Sequence, residues 1–196
     1  MNSVQIDEKA VVGFKPWSIV GLQFEQVLAR LGHIEPAVIV DLKPEDADGW
    51  THRGDVYLKR GEYRKAIADY DVSLRIVPDW MWTHDSRGNA YLHLGDLDSA
   101  IADFSEAIRL KPDFAVGHFA RGIVRLREND LDGAQADFQA GFEVDPKCGS
   151  CVVGTGLIEI RKGDKAAGNA DIAKGTALDP KYSEDFERFG FSLPQP

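Results

Sequence analysis

The chain has 196 residues, 43% of them apolar, and carries a formal net charge of −9 at neutral pH. The acidity is spread along the chain with no cluster of Lys and Arg, which argues against nucleic acid and against anionic membranes as partners. No apolar run approaches the roughly 18 residues of a membrane span, and Asp7, Glu8 and Lys9 do not suit a signal peptide. The expected location is therefore cytoplasmic, or periplasmic or secreted if an export signal has been removed.

Residues 1–46 read as an N-terminal capping segment with one helix near 18–31. Ser18 can cap it, Val20, Phe24, Val27, Leu28 and Leu31 share a face, and Gly32 stops it. Such a helix is expected to cover the exposed face of the next element in the chain.

Beyond this segment the chain is periodic. Gly54, Gly88, Gly122 and Gly156 stand 34 residues apart, and so do Pro44, Pro78, Pro112, Pro146 and Pro180. The period divides the chain into units at 47–80, 81–114, 115–148 and 149–182. Each reads as two helices joined by a polar turn, at Lys59 to Glu62, His93 to Asp96, Arg127 to Asp130 and Arg161 to Asp164. Gly61, Gly95, Gly163 and Asn129 suit a helix end that needs positive φ. Gly54 and its equivalents fall inside a helix, so a close approach has to justify them, and the paired alanines Ala66, Ala100 and Ala134 are the expected neighbours.

Trp50, Gly54, Tyr57, Ala66, Tyr70 and Pro78, then Gly88, Tyr91, Ala100, Phe104, Ala107 and Pro112, resemble the tetratricopeptide repeat. The third unit keeps Gly122, Ala134, Phe138 and Pro146. The fourth keeps Gly156 and Pro180 but has Glu159, Gly168 and Ile172 where the family has Tyr, Ala and Phe, and so reads as degenerate. The resemblance implies an all-α fold: a right-handed α-α superhelix, or solenoid, of four helical hairpins with N- and C-terminal capping helices. At the end, residues 183–196 read as a short capping helix from Ser183 to Arg188, offering Phe186 and Phe189 to the last unit, and a tail.

Each second helix carries an acid, at Asp69, Asp103, Asp137 and Asp171, and the first helices carry Arg53, Arg87 and Arg121. These predict a ladder of Arg–Asp pairs, with Asp69–Arg87 and Asp103–Arg121 as partners if the ladder joins one unit to the next. Thr155 in the fourth unit would then leave Asp137 without its base. The competing reading is two solvated faces that never meet.

The resemblance also implies a concave groove lined by the first helix of each unit. Carried onto this chain, it assigns Asp55, Trp82, Asp85, Asn89, Phe119, Ile123 and Leu157 as the peptide-binding residues, with His93, Arg127 and Arg161 at equivalent groove places. The alternative for Phe119 and Ile123 is packing against a neighbouring helix. A chaperone-binding subclass of the family uses a clamp of Lys, Asn, Asn, Lys and Arg. The matching places here hold Thr51, Asp55, Ser86, Val116 and Ala120, so that clamp is absent.

Cys148 and Cys151 form a CxxC at a predicted helix start, where the helix dipole and Lys147 can activate a thiol. Three readings stay open for them: inert small residues, a redox pair or disulfide, and a partial metal site with His118. His84 and His118 occupy the place of Trp50 and read as packing residues. No HExxH, GxSxG or phosphate loop is present. The expectation is a noncatalytic interaction adaptor, without cofactor or metal, that binds a protein or peptide. The alternatives are a thiol switch at Cys148 and Cys151, or a self-assembling homo-oligomeric subunit.

Overall fold

The computed structural model describes residues 45–189. Among them the chain forms nine helices and no strand. These are α1 (Ala47–Lys59), α2 (Tyr63–Ile76), α3 (Met81–Leu94), α4 (Leu97–Leu110), α5 (Ala115–Arg127), α6 (Leu131–Val144), α7 (Gly149–Lys162), α8 (Lys165–Leu178) and α9 (Tyr182–Arg188). The helices pair as hairpins, α1 with α2 through α7 with α8, and each second helix packs on the first helix of the next hairpin. Successive first helices also touch one another, whereas no two successive second helices come as close, so the first helices line the inner side of the curve. The helix expected near 18–31 lies outside the described residues.

The hairpin turns arise from local chemistry. Gly61, Gly95 and Gly163 adopt φ of 73°, 80° and 99°, and Asn129 adopts 64°. A side chain with a Cβ resists that region, and Asn is among the few residues that tolerate it. Immediately afterwards Asp96, Asp130 and Asp164 cap the next helix, accepting from the backbone N–H of Ser99, Gly133 and Ala167. Each cap satisfies a donor that the first helical turn leaves free.

The glycines inside the first helices answer to an aromatic ring rather than to the alanines. A Cβ on Gly122 would stand 2.6 Å from the ring of Phe138, and a Cβ on Gly154 of the next hairpin would meet the opposite edge of that ring at 2.6 Å. Phe138 is fully buried, as are its equivalents Tyr70 and Phe104. One ring therefore binds both partners of its hairpin and the next hairpin along. The fourth unit, read as degenerate, uses a second solution. Ile172 replaces the ring, and Gly156 and Gly168 bring the two backbones together, each lying where a Cβ on the other would be about 2.5 Å from a carbonyl oxygen.

The ion-pair ladder exists, but its register differs from the expected one. Arg53 Nε donates to Asp69, Arg87 Nε to Asp103 and Arg121 Nε to Asp137, at 2.6, 2.7 and 3.0 Å. All three pairs lie within a hairpin, because the turn brings residues 16 apart face to face. The links between hairpins come from the other prong of the same guanidinium: Arg87 Nη1 reaches Asp71 at 2.6 Å, and Arg121 Nη1 reaches the Ser105 hydroxyl at 3.0 Å. Asp137 is accordingly well supplied, since Arg125 also donates to it at 2.9 Å. Thr155 stands opposite Asp171 instead, and its hydroxyl donates to the Cys151 carbonyl.

His84 packs as expected and is bonded on both nitrogens, Nδ1 to Asp103 and Nε2 to the Pro78 carbonyl, each at 2.9 Å. Burial lowers its pKa, but these two acceptors favour the protonated ring and hold it above the ordinary histidine value.

Candidate functional site

The inner face changes character along its length. Its first part, from α1 and α3, is polar and acidic. Thr51, Ser73 and Thr83 share hydroxyl hydrogen bonds of 2.7 and 2.9 Å across α1, α2 and α3. Asp55 accepts from the Tyr70 hydroxyl at 2.8 Å. Asp85 and Asn89 lie one turn apart on α3, buried at 3% and 5% exposure. Burial pushes the Asp85 carboxyl up to about 6; the Arg188 charge opposes the rise and the nearby Asp55 adds to it. Oδ1 of Asp85 and Oδ1 of Asn89 have no hydrogen-bond partner. Two buried acceptors left open on one face carry a desolvation cost and invite a donor.

Further along, α5 and α7 supply an apolar floor. Phe119, Ile123 and Leu157 are 2%, 0% and 6% exposed. What covers them is the end of the chain itself. Phe186 and Phe189 set their rings 5.1 and 5.8 Å from Phe119, edge to face, and Phe189 also meets Phe104 at 6.1 Å. Such pairs favour the positive ring edge over the negative face. The helix expected to cap the last unit thus lies in the hollow, across the inner helices of the second, third and fourth hairpins. Its place on the inner face corrects the reading of an open wall there, and Phe119 and Ile123 do pack on a neighbouring helix.

The backbone of this segment is held by residues at equivalent places of successive units. His93 Nε2 donates to the Arg188 carbonyl at 3.0 Å, and Arg127 Nη2 to the Phe189 carbonyl at 3.0 Å. Arg127 Nη1 also reaches Leu92 O, and Arg161 Nη1 reaches Leu126 O at 2.6 Å, so each of these arginines caps the carbonyl end of the preceding inner helix. Burial lowers the pKa of Arg127. Arg188 itself projects over the acidic part, its Nη2 3.3 Å from Asp85 Oδ2.

Trp82 stands apart from this arrangement. It is 54% exposed, packs edge to face on Phe114 at 5.4 Å and has the Lys111 ammonium 5.8 Å from its ring. Val116, its equivalent one unit later, is exposed as well. Of the seven residues assigned to the groove, Phe119 and Asp85 contact α9 directly, Ile123 and Leu157 share the apolar cluster of its two rings, Asp55 and Asn89 lie in the polar part, and Trp82 remains on the open surface. Arg188, Phe186 and Phe189 escaped the sequence reading as groove components. The one signal for them was the aromatic and basic content of a segment otherwise read as a cap.

Cys148 and Cys151 are joined by a disulfide across the first turn of α7. Cys151 is fully buried and meets Gly141 of α6, where a Cβ would stand 2.9 Å from its sulfur. Among the described residues no group of three or more His, Cys, Asp or Glu is placed to hold a metal ion, and no helix is long and apolar enough to cross a membrane.

Comparison with known families matches residues 47–80 to the tetratricopeptide repeat and residues 88–129 to a TPR repeat. The chain carries tetratricopeptide repeats. The solved structures similar to this array include MamA, with a TM-score of 0.70 at 15% identity over 83% of this chain and 94% of that one. YrrB, described as a TPR protein with an unusual peptide-binding site, gives 0.65 at 20% identity over 85% of each chain. TTC0263, a TPR protein of Thermus thermophilus, gives 0.66 at 19% identity over 86% of this chain and 94% of that one. A comparison with curated protein sequences finds no match. At these identities the tetratricopeptide relatives establish the shared solenoid and no more.

Proposed function

We propose that this chain is a noncatalytic protein-interaction scaffold whose inner face receives a peptide or a partner helix. The observation that carries the reading is the inner face itself, which already accommodates a short helix through aromatic packing, main-chain bonds from His93 and Arg127, and an ion pair at Asp85. These are the elements by which a groove holds a helical segment. YrrB, a similar array, is described as having a peptide-binding site, which supports peptide binding as a use of this fold. Titrating candidate peptides against the Asp85→Lys variant tests it, with Trp82→Ala as a comparison on the open surface. Binding unchanged in Asp85→Lys removes the groove from consideration.

A second reading rests on the disulfide. Cys148 and Cys151 close a loop at the start of α7, where α6 and α7 meet, so oxidation and reduction there would act on the junction between the third and fourth hairpins. A stable disulfide favours an oxidising compartment, which supports a periplasmic or secreted location over a cytoplasmic one. Intact-mass measurement before and after mild oxidant distinguishes the states by two hydrogens, and two thiols that stay free after oxidant would rule the switch out.

A further inference from the structure

The segment that fills the hollow is unevenly held. At its apolar end Phe186 and Phe189 are fully buried, and each packs against Phe119. At its polar end Arg188 is half exposed and offers one nitrogen to one carboxylate oxygen at 3.3 Å. Charge-assisted bonds between guanidinium and carboxylate are typically two-pronged and about 2.7–2.9 Å long. The other oxygen of Asp85 and the side-chain oxygen of Asn89 are left without a donor although both residues are more than nine-tenths buried. The acidic pocket is therefore shaped for a cation that Arg188, at the last turn of a short tethered helix, does not fully reach.

We infer that α9 is an internal stand-in for the ligand, and that the partner is a segment of another protein presenting an arginine beside aromatic residues spaced as Phe186, Arg188 and Phe189 are. Such a segment would set its rings on Phe119, Ile123 and Leu157 and drive its guanidinium onto Asp85 and Asn89. This inference rests on the groove reading above and names the chemistry of its occupant. The tether gives α9 a high effective concentration, so an untethered segment prevails only by making the bonds that α9 leaves unmade. Charge complementarity points the same way, since Asp55 lies close enough to Asp85 to add its negative charge to that part of the inner face.

The test uses the full chain and a labelled octapeptide with the sequence of residues 182–189, alongside the same peptide with glutamate in place of its arginine. In the host, Phe186→Ser with Phe189→Ser weakens the internal occupant, and Arg188→Glu does so separately, keeping both buried rings while removing the guanidinium that lies over Phe189. Each host should bind the arginine peptide at least about tenfold more tightly than the wild type, and the glutamate peptide at least about tenfold more weakly than the arginine peptide. Adding Asp85→Asn should erase that preference. Equal binding of the two peptides by a helical, opened host would overturn the arginine assignment and leave the groove standing. Binding of neither peptide by both opened hosts would remove the groove as well. Should the double serine variant fail to fold, the Arg188→Glu host decides by the same two outcomes.

Discussion

Arg188 sets a guanidinium nitrogen 3.3 Å from the carboxylate of Asp85, a residue 103 positions earlier in the chain, and with it closes the inner face over three hairpins. The pair is lopsided: Asp85 is buried while Arg188 reaches water, so the aspartate bears most of the desolvation. Four consequences of this and of the surrounding packing can be measured.

Asp85→Asn should stabilise the protein at neutral pH. Burial raises the Asp85 pKa from 3.8 to about 6, against the pull of Arg188 and with help from Asp55. A carboxyl with a folded pKa above its unfolded value costs nothing while protonated, and its ionisation penalty grows as the pH rises from the unfolded value through the folded one. The shift corresponds to at most roughly 3 kcal/mol, reduced by the lost Arg188 contact. Urea unfolding at about pH 7.5 should favour the variant, and the gap should close by about pH 4. A wild type more stable than the variant at the higher pH would contradict the assignment.

Asp137→Ala should destabilise by about 2–4 kcal/mol, with the lower end favoured because the arginines left behind can turn toward water. Burial pushes the Asp137 carboxyl up, but His118, Arg121 and Arg125 more than reverse this and hold it below the ordinary value. Its contribution is therefore present above the unfolded carboxylate pKa and is lost as the pH falls through the lower folded value. Unfolding free energies of the two proteins should converge in that acidic range.

Gly122→Ala should cost about 1–3 kcal/mol although alanine is the better helix former by roughly 1 kcal/mol. The new Cβ would lie 2.6 Å from the Phe138 ring, which Gly154 confines from the other side. Gly95→Ala provides the contrast: nothing lies within 4 Å, yet its φ of 80° makes a side chain strained. Thermal midpoints of both variants should fall. A crystal structure should show a displaced ring only in the first.

Reducing the Cys148–Cys151 disulfide should lower stability by about 2 kcal/mol or less, because only two residues lie inside the closed loop and the chain entropy it removes is small. Helical content should stay nearly unchanged. A large loss of helicity would mean that the bridge holds the fourth hairpin together.

Periodicity made the hairpins legible before any coordinates. Glycine, proline and Asp at fixed spacing specify turns and caps by local sterics, and Gly61, Gly95, Asn129 and Gly163 adopt the backbone the sequence required of them. The groove residues were legible only as places in a unit. Phe119 and Ile123 could equally face water or a helix, since an apolar side chain on an inner surface has the same pattern in both cases.

The sequence by itself determined where each helix starts and stops and that the hairpins stack, because those features depend on interactions between residues a few positions or one period apart. Tertiary structure alone decided that Arg87 pairs with Asp103 and Asp71 at once, that Phe138 is shared by two glycines of different hairpins, and that α9 returns to the inner face. These depend on which surfaces are brought together over long separations, and no period in the chain records that Phe186 and Phe189 bury more favourably on Phe119 than on the outer end of the last hairpin.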